Sequence, residues 1–450
     1  MPARTARAAN RMLNREPFDA LDRLSPAELE RWWVRRLRSV FTIAERELPF
    51  YRERFAAAGF DPASLRTLKD LDRMPIFAKA DLLAVQGRSQ SQRVGIERGA
   101  DAPSSRTTFS LSSGTAGTTF ITHTARWRRA QGMSSCRAHW WAGLRPGGSL
   151  VMSAPAWHSY AAIQPFIAMH FGMRCVVVSG TYLPRFADRV IDAIVHFRPR
   201  FVTMFLPMVF SILDAARRRG IAGTELFAGA TSLVVTGAAI TPGMREHLKE
   251  LTGVERVAEI AGTSENLLAV DCPRAEGLHV VPDTCYAQVI DRKTGLPAAD
   301  GDRGSVVHSA LIPYGSLYLR YDSGDVGVIN HAPCPCGLPS PRIKLLGRWE
   351  DCFTIGARTM LPYDVQLALE EEVPELKGAA CVITREGLAE GKLRLLLIEP
   401  RGASGTSPLD QARAALARRF EVAVEITPVR DLPLRFKGVP PILSEREAQL

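Results

Sequence analysis

The chain has 450 residues, of which 46% are hydrophobic and 23% are charged, and these values exclude a disordered or fibrous protein. A chain of this length is too long for one compact core, so we expect two unequal domains. The 57 Lys and Arg residues exceed the 47 Asp and Glu residues, which gives a formal charge of +10. Its eight cysteines do not indicate a disulfide framework.

The sequence shows no segment that would direct the chain to a membrane. It contains no run of about 18 apolar residues. The first residues also lack the apolar core of a signal peptide. We therefore expect a cytoplasmic protein that does not associate with a membrane.

The positive charge is spread along the chain rather than concentrated in one patch. Its excess arginines, such as Arg217–Arg219 and Arg418–Arg419, fall in predicted helices and are typical of solvated faces. Aromatic and basic residues do not alternate in a stripe, so we expect no binding of nucleic acid. A small polyanion such as ATP or coenzyme A would be attracted by the same charge.

The first half of the chain predicts helices and then an α/β pattern. Residues Pro26–Phe55 carry apolar side chains at helical spacing, and Ser25 before Pro26 is typical of a helix start. Further on, short apolar runs alternate with helical segments, which predicts a largely parallel sheet. The buried strands are predicted at Ser149–Met152, Cys175–Val178, Phe201–Phe205 and Ser232–Val235. A helix is predicted over Pro242–Leu251.

The second half predicts a β-rich subdomain followed by a smaller unit. Short strands and tight turns are predicted over Gly277–Ile329. The composition changes after Gly347 and Arg348, so we predict a large domain over residues 1–349 and a small α+β domain over residues 350–450. The elements of the small domain are predicted at Pro362–Glu372 (helix), Ala379–Thr384 and Leu393–Ile398 (strands) and Pro408–Phe420 (helix), followed by a final strand.

The densest chemical signal is the segment Ser110–Thr119, in which hydroxyl residues and glycines are closely packed. Such a segment offers backbone N–H and side-chain O–H donors without bulky neighbours, which suits a polyphosphate. It does not end in Gly-Lys-Ser or Gly-Lys-Thr, so it is not a Walker A sequence. By composition alone, a plain surface turn explains the segment equally well.

Three more clusters combine glycine with charged residues. Ala261–Glu265 follows a predicted strand and presents a carboxylate for Mg²⁺, although a helix N-cap at Thr263 or Ser264 would explain it as well. Arg320–Asp325 places a carboxylate after a predicted strand end, where it suits ribose hydroxyls; an aspartate in a β-turn is the alternative. Gly347–Asp351 precedes the predicted domain boundary.

Taken in order, the four clusters resemble the adenylate-forming (ANL) superfamily. The N-terminal region is similar to the phenylacetate-CoA ligase branch of that superfamily. The similar segments are Leu48–Arg52, Ala58–Gly59, Asp61–Pro62, Leu68–Leu71 and Lys79–Leu82. The resemblance covers nearly the whole chain. It implies an α/β fold, in which a large adenylate-forming domain with parallel sheets and a β-rich subdomain precedes a small, mobile α+β lid domain.

The resemblance implies an ATP site built from several of these segments. Ser112–Thr119 would be the phosphate-binding loop, Glu265 the Mg²⁺ ligand and Asp325 the carboxylate for the ribose. The backbone of Thr236–Ala239 would lie beside the adenine. The residues expected at ATP are Ser112, Ser113, Gly114, Thr115, Gly117, Thr118, Gly237, Ala238, Ala261, Gly262, Thr263, Asp325 and Arg348.

Further residues would act on the acid and on the lid domain. His158, within Trp157–Tyr160, falls where the family keeps an aromatic residue or histidine facing the acid. Lys437, within Leu432–Gly438, resembles the catalytic lysine, whose ammonium would reduce the repulsion between the attacking carboxylate and the α-phosphate. A solvated lysine in the tail is the alternative for Lys437. Glu350 would occupy the hinge.

Three positions depart from the family pattern. Thr118 stands where the phosphate loop usually has lysine, Ala239 stands where a carboxylate is common, and Phe436 stands where glycine usually precedes the catalytic lysine. These departures leave open a slow enzyme, an unusual substrate or a catalytically silent binding protein.

Four sulfur and nitrogen donors of the β-rich subdomain, within residues 270–340, are expected to form a closed zinc site. Cysteines at comparable places occur in relatives of this branch. The candidate ligands are Cys272, His279, Cys334 and Cys336. Buried free cysteines are the alternative interpretation, and His331 is an alternative ligand.

The expected reaction has two half-reactions. A small carboxylic acid, aromatic by resemblance, attacks the α-phosphate of ATP with Mg²⁺ to give acyl-AMP and pyrophosphate. Coenzyme A then displaces AMP. The alternatives are transfer to a carrier protein or an amine, activation of another small oxyanion, and a silent homologue. The sequence leaves open whether the chain forms a homodimer.

Overall fold

A computed structural model describes residues 17–83, 95–96, 108–111, 120–155, 158–178, 184–272, 274, 277–398, 408–429, 432 and 441–448. The chain divides into two compact units that are each discontinuous in sequence. The first unit comprises Met1–Gly148, Ala154–Val177 and Ala258–Leu345, and the second comprises Ser149–Ser153, Val178–Val257 and Leu346–Leu450.

The α-helices of the described part are Pro26–Glu47, Pro49–Ala57, Lys79–Leu83, Ala125–Trp141, Ser159–His170, Pro184–Phe197, Leu206–Arg218, Gly223–Leu226, Pro242–Thr252, Pro362–Glu372, Arg385–Ala389, Pro408–Phe420 and Glu445–Ala448. Its strands are β1 Phe77–Ala78, β2 Gly95–Ile96, β3 Thr108–Leu111, β4 Phe120–His123, β5 Ser149–Ser153, β6 Arg174–Val178, β7 Phe201–Phe205, β8 Ser232–Thr236, β9 Arg256–Gly262, β10 Leu267–Asp271, β11 Leu278–Val280, β12 Cys285–Ile290, β13 Gly304–Ala310, β14 Gly315–Ser316, β15 Tyr321–Asn330, β16 Arg342–Arg348, β17 Phe353–Ile355, β18 Arg358–Met360, β19 Cys381–Thr384, β20 Leu393–Ile398, β21 Val424–Val429 and β22 Ile442–Leu443. Among the described residues, every helix is too short or too polar to cross a membrane.

The first helices begin and end where local chemistry requires it. The helix Pro26–Glu47 starts at a capping box, in which the Ser25 hydroxyl accepts from Glu28 N and the Glu28 carboxylate accepts from Ser25 N. The helix stops at Leu48 because the following proline has no N–H and disfavours helical backbone before it. A second helix, Pro49–Ala57, starts at that proline. The predicted helices in this region are confirmed.

The first unit contains the β-rich part of the chain. Its main sheet has the order β12-β13-β15-β16-β11-β10-β9, and most neighbouring strands are antiparallel. A core of aromatic and aliphatic side chains joins the N-terminal helices to the segment before β15; within it, the Phe41 and Phe55 rings stack at 5.7 Å. Tyr51 ties the two parts together, since its hydroxyl donates to Leu317 O and accepts from Leu319 N. The predicted β-rich subdomain is confirmed.

The second unit contains parallel strands with helical connections. β5 pairs with β7, and β7 pairs with β8, both in parallel. The helices Pro184–Phe197 and Leu206–Arg218 lie in the connections before and after β7, which is the predicted α/β pattern. The helix Pro242–Thr252 ends at Gly253, whose φ of 68° is the left-handed conformation that glycine adopts readily.

The C-terminal part of the second unit has a sheet and core of its own. The sheet order is β21-β20-β19-β22, and β17 and β18 form a separate hairpin. The helices Pro362–Glu372 and Pro408–Phe420 pack on a core that includes Val365, Leu395 and Leu416. Both helices have the predicted bounds. The domain boundary at residue 350 and the mobility of the residues after it stay predictions.

A buried arginine anchors the N-terminal segment of the first unit. The Arg137 side chain is 1% exposed and forms ion pairs with Asp19, Asp22 and Asp283. The Asp22 side chain is also 1% exposed, and its carboxylate accepts a second bond from Trp141 Nε1 at 2.9 Å. Because the charges of Arg137 and Asp22 are buried, each depends on its partners for stability.

We predict that Arg137→Met lowers the free energy of unfolding by about 3–5 kcal/mol, because it leaves the Asp22 carboxylate buried without its cation. Chemical denaturation measures the change. The control is Arg217→Met, whose guanidinium pairs with Asp214 at a side-chain exposure of 57%. This control should lower stability by less than about 1 kcal/mol. Equal losses in the two variants would contradict a special role for the buried cluster.

Candidate active site

The predicted Mg²⁺ ligand, Glu265, lies in a hairpin turn. The turn, residues 263–266, joins the antiparallel strands β9 and β10. It is closed by two hydrogen bonds, Thr263 N to Asn266 O at 2.9 Å and Asn266 N to Thr263 Oγ1 at 3.2 Å. A strand follows the turn, so the alternative of a helix N-cap at Thr263 or Ser264 is wrong. The glutamate itself is buried.

One side chain attaches this turn to the predicted acid-binding segment. Ser159 Oγ donates to Ser264 O at 3.3 Å. Ser159 is the first residue of the helix Ser159–His170, and His158 is its N-cap, with Nδ1 accepting from Tyr160 N at 3.2 Å. The His158 ring is therefore held by the N–H of Tyr160. The next residue, Ser159, makes the contact with the turn.

A second side chain of the turn contacts β13 of the main sheet. Asn266 Nδ2 donates to His308 Nδ1 at 3.1 Å, which leaves the ring proton on Nε2. Burial lowers the pKa of His308 to about 4, so the ring is neutral at pH 7. His308 lies on β13, opposite Tyr321 of β15. The histidine thus links the glutamate turn to the strand that carries Asp325.

The structure corrects the prediction of a strand end before Asp325. β15 continues through this residue as Tyr321–Asn330. Gly324 has a φ of 79°, and the pairing of β15 with β13 is irregular between Ser305 and Val307, so the strand bulges here. Asp322 Oδ1 accepts from Gly324 N at 2.8 Å and fixes the bulge. Asp325 follows the bulge and is half-buried.

Two predicted segments lie outside the described residues. One is the phosphate loop Ser112–Thr119, which includes Ser112, Ser113, Gly114, Thr115, Gly117 and Thr118. The strands on either side of it, β3 and β4, pair antiparallel, and Thr122 N donates to Ser316 Oγ at 2.9 Å. The other is the segment that carries Lys437. The roles assigned to both stay predictions.

Ala261 and Gly262 end β9 in the first unit, whereas Gly237, Ala238 and Arg348 belong to the second unit. Gly237 and Ala238 follow β8; Gly237 has a φ of 91°, and a Cβ at this position would lie 2.5 Å from the Phe205 ring. Only glycine fits there without displacing the ring. Arg348 ends β16, and its Nε lies 3.1 Å from Glu350 Oε1, in a short 3₁₀ helix. The assignments of these residues to adenine, ribose and hinge stay predictions.

The four predicted zinc ligands do converge in the first unit. One donor atom from each of Cys272, His279, Cys334 and Cys336 lies within 4.8 Å of the others. The sulfurs of Cys272 and Cys334 are 3.5 Å apart, and Cys336 Sγ is 3.1 Å from His279 Nε2. Ligands of a tetrahedral zinc ion lie roughly 3.5–3.8 Å apart, so the donor set fits zinc.

The surroundings of the cluster favour metal binding. His279 is fully buried, and its Nδ1 donates to Ser340 O at 2.8 Å, which leaves Nε2 free of its proton and directed at the sulfurs. A hydrogen bond from Cys336 lowers the pKa of the Cys272 thiol, against the effect of burial. The alternative ligand His331 is exposed instead and lies 2.6 Å from Asp300.

Three residues of the site arrangement were not predicted from the sequence: Ser159, Asn266 and His308. Each acts through a contact that spans tens of residues along the chain. Asn266 directly follows the Ala261–Glu265 cluster, and that position is the only sequence signal near it. His308 sits in an apolar strand pattern and gives no local signal.

Comparison with known proteins identifies the family. The model of the AMP-binding enzyme family matches residues 54–310, which is more than half of the chain. The chain belongs to the AMP-binding enzyme family. This AMP-binding enzyme is 28% identical over 403 residues to a phenylacetate-coenzyme A ligase of Thermus thermophilus, with 84% of each chain covered. It is 25% identical over 424 residues to the ligase of that name from Aromatoleum evansii, which covers 90% of this chain and 89% of the relative.

The AMP-binding enzyme also shares its fold with a solved ligase. A crystal structure of 2-hydroxyisobutyryl-CoA ligase, in the postadenylation state with 2-HIB-AMP, matches with a TM-score of 0.81. The match covers 96% of this chain and 94% of that chain at 22% identity. The predicted α/β fold and the resemblance to phenylacetate-CoA ligases are confirmed.

Proposed function

We propose that this AMP-binding enzyme is an acid-CoA ligase that activates a small, aromatic carboxylic acid as acyl-AMP. The observation that carries the proposal is the convergence within one unit of the Glu265 turn, the segment of His158 and the strand of Asp325. These are the segments that the reaction requires for metal, acid and ribose. Membership of the family supports the same chemistry.

The first half-reaction joins two anions. An oxygen of the acid's carboxylate bonds to the α-phosphorus of ATP, and the bond from that phosphorus to the bridging oxygen breaks, so that pyrophosphate leaves. The site must therefore offset negative charge where the anions approach. Glu265 would hold Mg²⁺, which neutralises phosphate charge when bound. Lys437 would supply a further cation.

The second half-reaction transfers the acyl group. The thiol of coenzyme A loses its proton to solvent, its sulfur bonds to the acyl carbon, and the bond from that carbon to the phosphate oxygen breaks, so that AMP leaves. The curated relatives are phenylacetate-coenzyme A ligases, which supports an aromatic acid as substrate. Transfer to a carrier protein or an amine is the alternative.

The test of the proposal is ATP–pyrophosphate exchange with a panel of acids, among them phenylacetate, anthranilate and 2-hydroxyisobutyrate. We expect exchange with at least one aromatic acid and, after addition of coenzyme A, release of its thioester. Exchange without thioester would favour another acceptor. A protein that gives no exchange with any acid would be a silent homologue, and the proposal would fail.

We also propose that Cys272, His279, Cys334 and Cys336 bind one structural zinc ion. The site is closed, since it offers four protein donors and three of them are buried. An ion held in this way stabilises the fold rather than taking part in the chemistry.

Glu265→Gln should leave the protein folded but lower pyrophosphate exchange by about 10²-fold or more, the scale for loss of one preorganised electrostatic group. The control is Glu255→Gln at an exposed position shortly before β9. Its exchange rate should match that of the wild type. Near-normal exchange in Glu265→Gln would remove the assignment of Glu265 to the metal.

Zinc should copurify at about one ion per chain, and Cys336→Ser should lose it and melt at a lower temperature. Elemental analysis and thermal melting measure the two effects. Cys175→Ser, which changes a cysteine outside the cluster, is the control and should keep the metal. Metal-free wild-type protein with the same melting temperature as Cys336→Ser would contradict the zinc site.

A further inference from the structure

A carboxylate on one helix of the second unit is buried against the start of another. Glu370, on the helix Pro362–Glu372, is only 5% exposed. Its Oε1 accepts from Thr241 Oγ1 at 2.7 Å, and its Oε2 accepts from Gly243 N at 3.1 Å. Gln366 Nε2 and Gly378 N also donate to Oε1, at 2.9 and 3.3 Å. These four donors are neutral, so in the described part of the chain hydrogen bonds hold the carboxylate, and His247 also interacts with it electrostatically.

The position of this carboxylate is favourable for a second reason. Thr241 is the N-cap of the helix Pro242–Thr252 and already accepts from Met244 N at 3.2 Å. Glu370 adds a negative charge at the same end of the helix, where the helix dipole is positive. The helix therefore has two caps, one from its own sequence and one from a residue more than a hundred positions away.

Two glycines allow the elements to approach so closely. A Cβ at Gly243 would lie 2.4 Å from Glu370 Oε2. A Cβ at Gly378, which has a φ of 66°, would lie 2.7 Å from the His247 ring. Any larger residue at either position would force the surfaces apart. The close approach therefore requires glycine both at Gly243 and at Gly378.

The contact connects the C-terminal sheet to the predicted adenine segment. The helix Pro362–Glu372 packs through Val365 and Leu369 on the core of that sheet. Thr241 lies two positions after Ala239, the last residue of the segment Thr236–Ala239. Glu370 therefore ties the C-terminal sheet to the chain just after the segment assigned to adenine.

The chemistry of the contact makes it reversible. Hydrogen bonds to a charged group are stronger than those between neutral groups, so the carboxylate fixes one position well. A carboxylate that leaves the contact is hydrated by water, which offsets much of the loss. An apolar contact of equal area has no such compensation.

We propose that Glu370 is a positioning residue for the adenylation half-reaction. It holds the C-terminal sheet on the helix Pro242–Thr252 during that half-reaction and releases the sheet before thioester formation. This inference rests on the proposed function. Glu370 touches no substrate in this role, because it acts through the elements that it joins.

The test separates the half-reactions in purified full-length variants. Glu370→Ala should lower pyrophosphate exchange by about tenfold, equivalent to about 1.4 kcal/mol. Conversion of synthetic acyl-AMP to the thioester should stay within about twofold of the wild type. Glu370→Gln should recover part of the exchange, since its amide oxygen still accepts from Gly243 N. The control Glu375→Ala removes an exposed carboxylate nearby and should change neither reaction.

Gly243→Ala tests the same contact from the other side. Alanine favours a helix, so the variant should fold, while its Cβ displaces the carboxylate. We expect Gly243→Ala to lower pyrophosphate exchange and to leave thioester formation nearly unchanged. In Glu370→Ala, hydrogen exchange at the amide of residue 243 should be faster than in the wild type. Equal losses in both half-reactions, or no loss in either variant, would overturn the proposal. A wild-type protein without exchange for any acid would instead refute the proposed function, and amide exchange would still report on the contact.

Discussion

The candidate active site depends on the hydrogen bonds that fix the turn 263–266. Leaving a buried polar group unsatisfied costs about 1–3 kcal/mol, so a buried turn is stable only where other segments supply its partners. Ser159 reaches the backbone of the turn, and His308 accepts from Asn266. The turn that carries Glu265 is therefore held by residues from three parts of the chain, and loss of any one contact would disturb the others.

Buried charged residues have different roles in the two units of this AMP-binding enzyme. Arg137 neutralises Asp22 in the first unit, so separating the two would leave a charge buried without a partner. The donors described for Glu370 in the second unit are neutral, so water could replace each of them if the contact opened. The difference between a permanent and a releasable contact lies in whether a partner charge would be left behind in the interior.

The cysteine and histidine cluster adds another constraint to the β-rich part. His279 belongs to β11, whereas Cys334 and Cys336 lie in the loop before β16. A shared ion would hold this loop to the sheet whose strands carry the glutamate turn and Asp325. The net positive charge of the chain is compatible with the two proposed polyanionic substrates, because a positively charged protein attracts anions.

The sequence determined what local periodicity and composition can specify. The strand Phe201–Phe205 and the helices Pro362–Glu372 and Pro408–Phe420 have the predicted bounds, because apolar spacing, proline and glycine act over neighbouring residues. The ordered glycine and hydroxyl clusters identified the family for the same reason.

The tertiary structure alone decided which distant residues meet. The sequence predicted a strand end before Asp325 and left a helix cap at Thr263 open, but pairing with neighbouring strands gives a bulge and a hairpin. The bond from Asn266 to His308 and the contact of Glu370 with Thr241 have no local pattern. They form because folding brings donors and acceptors together in places where water cannot satisfy them, and nothing in the neighbouring sequence encodes that proximity.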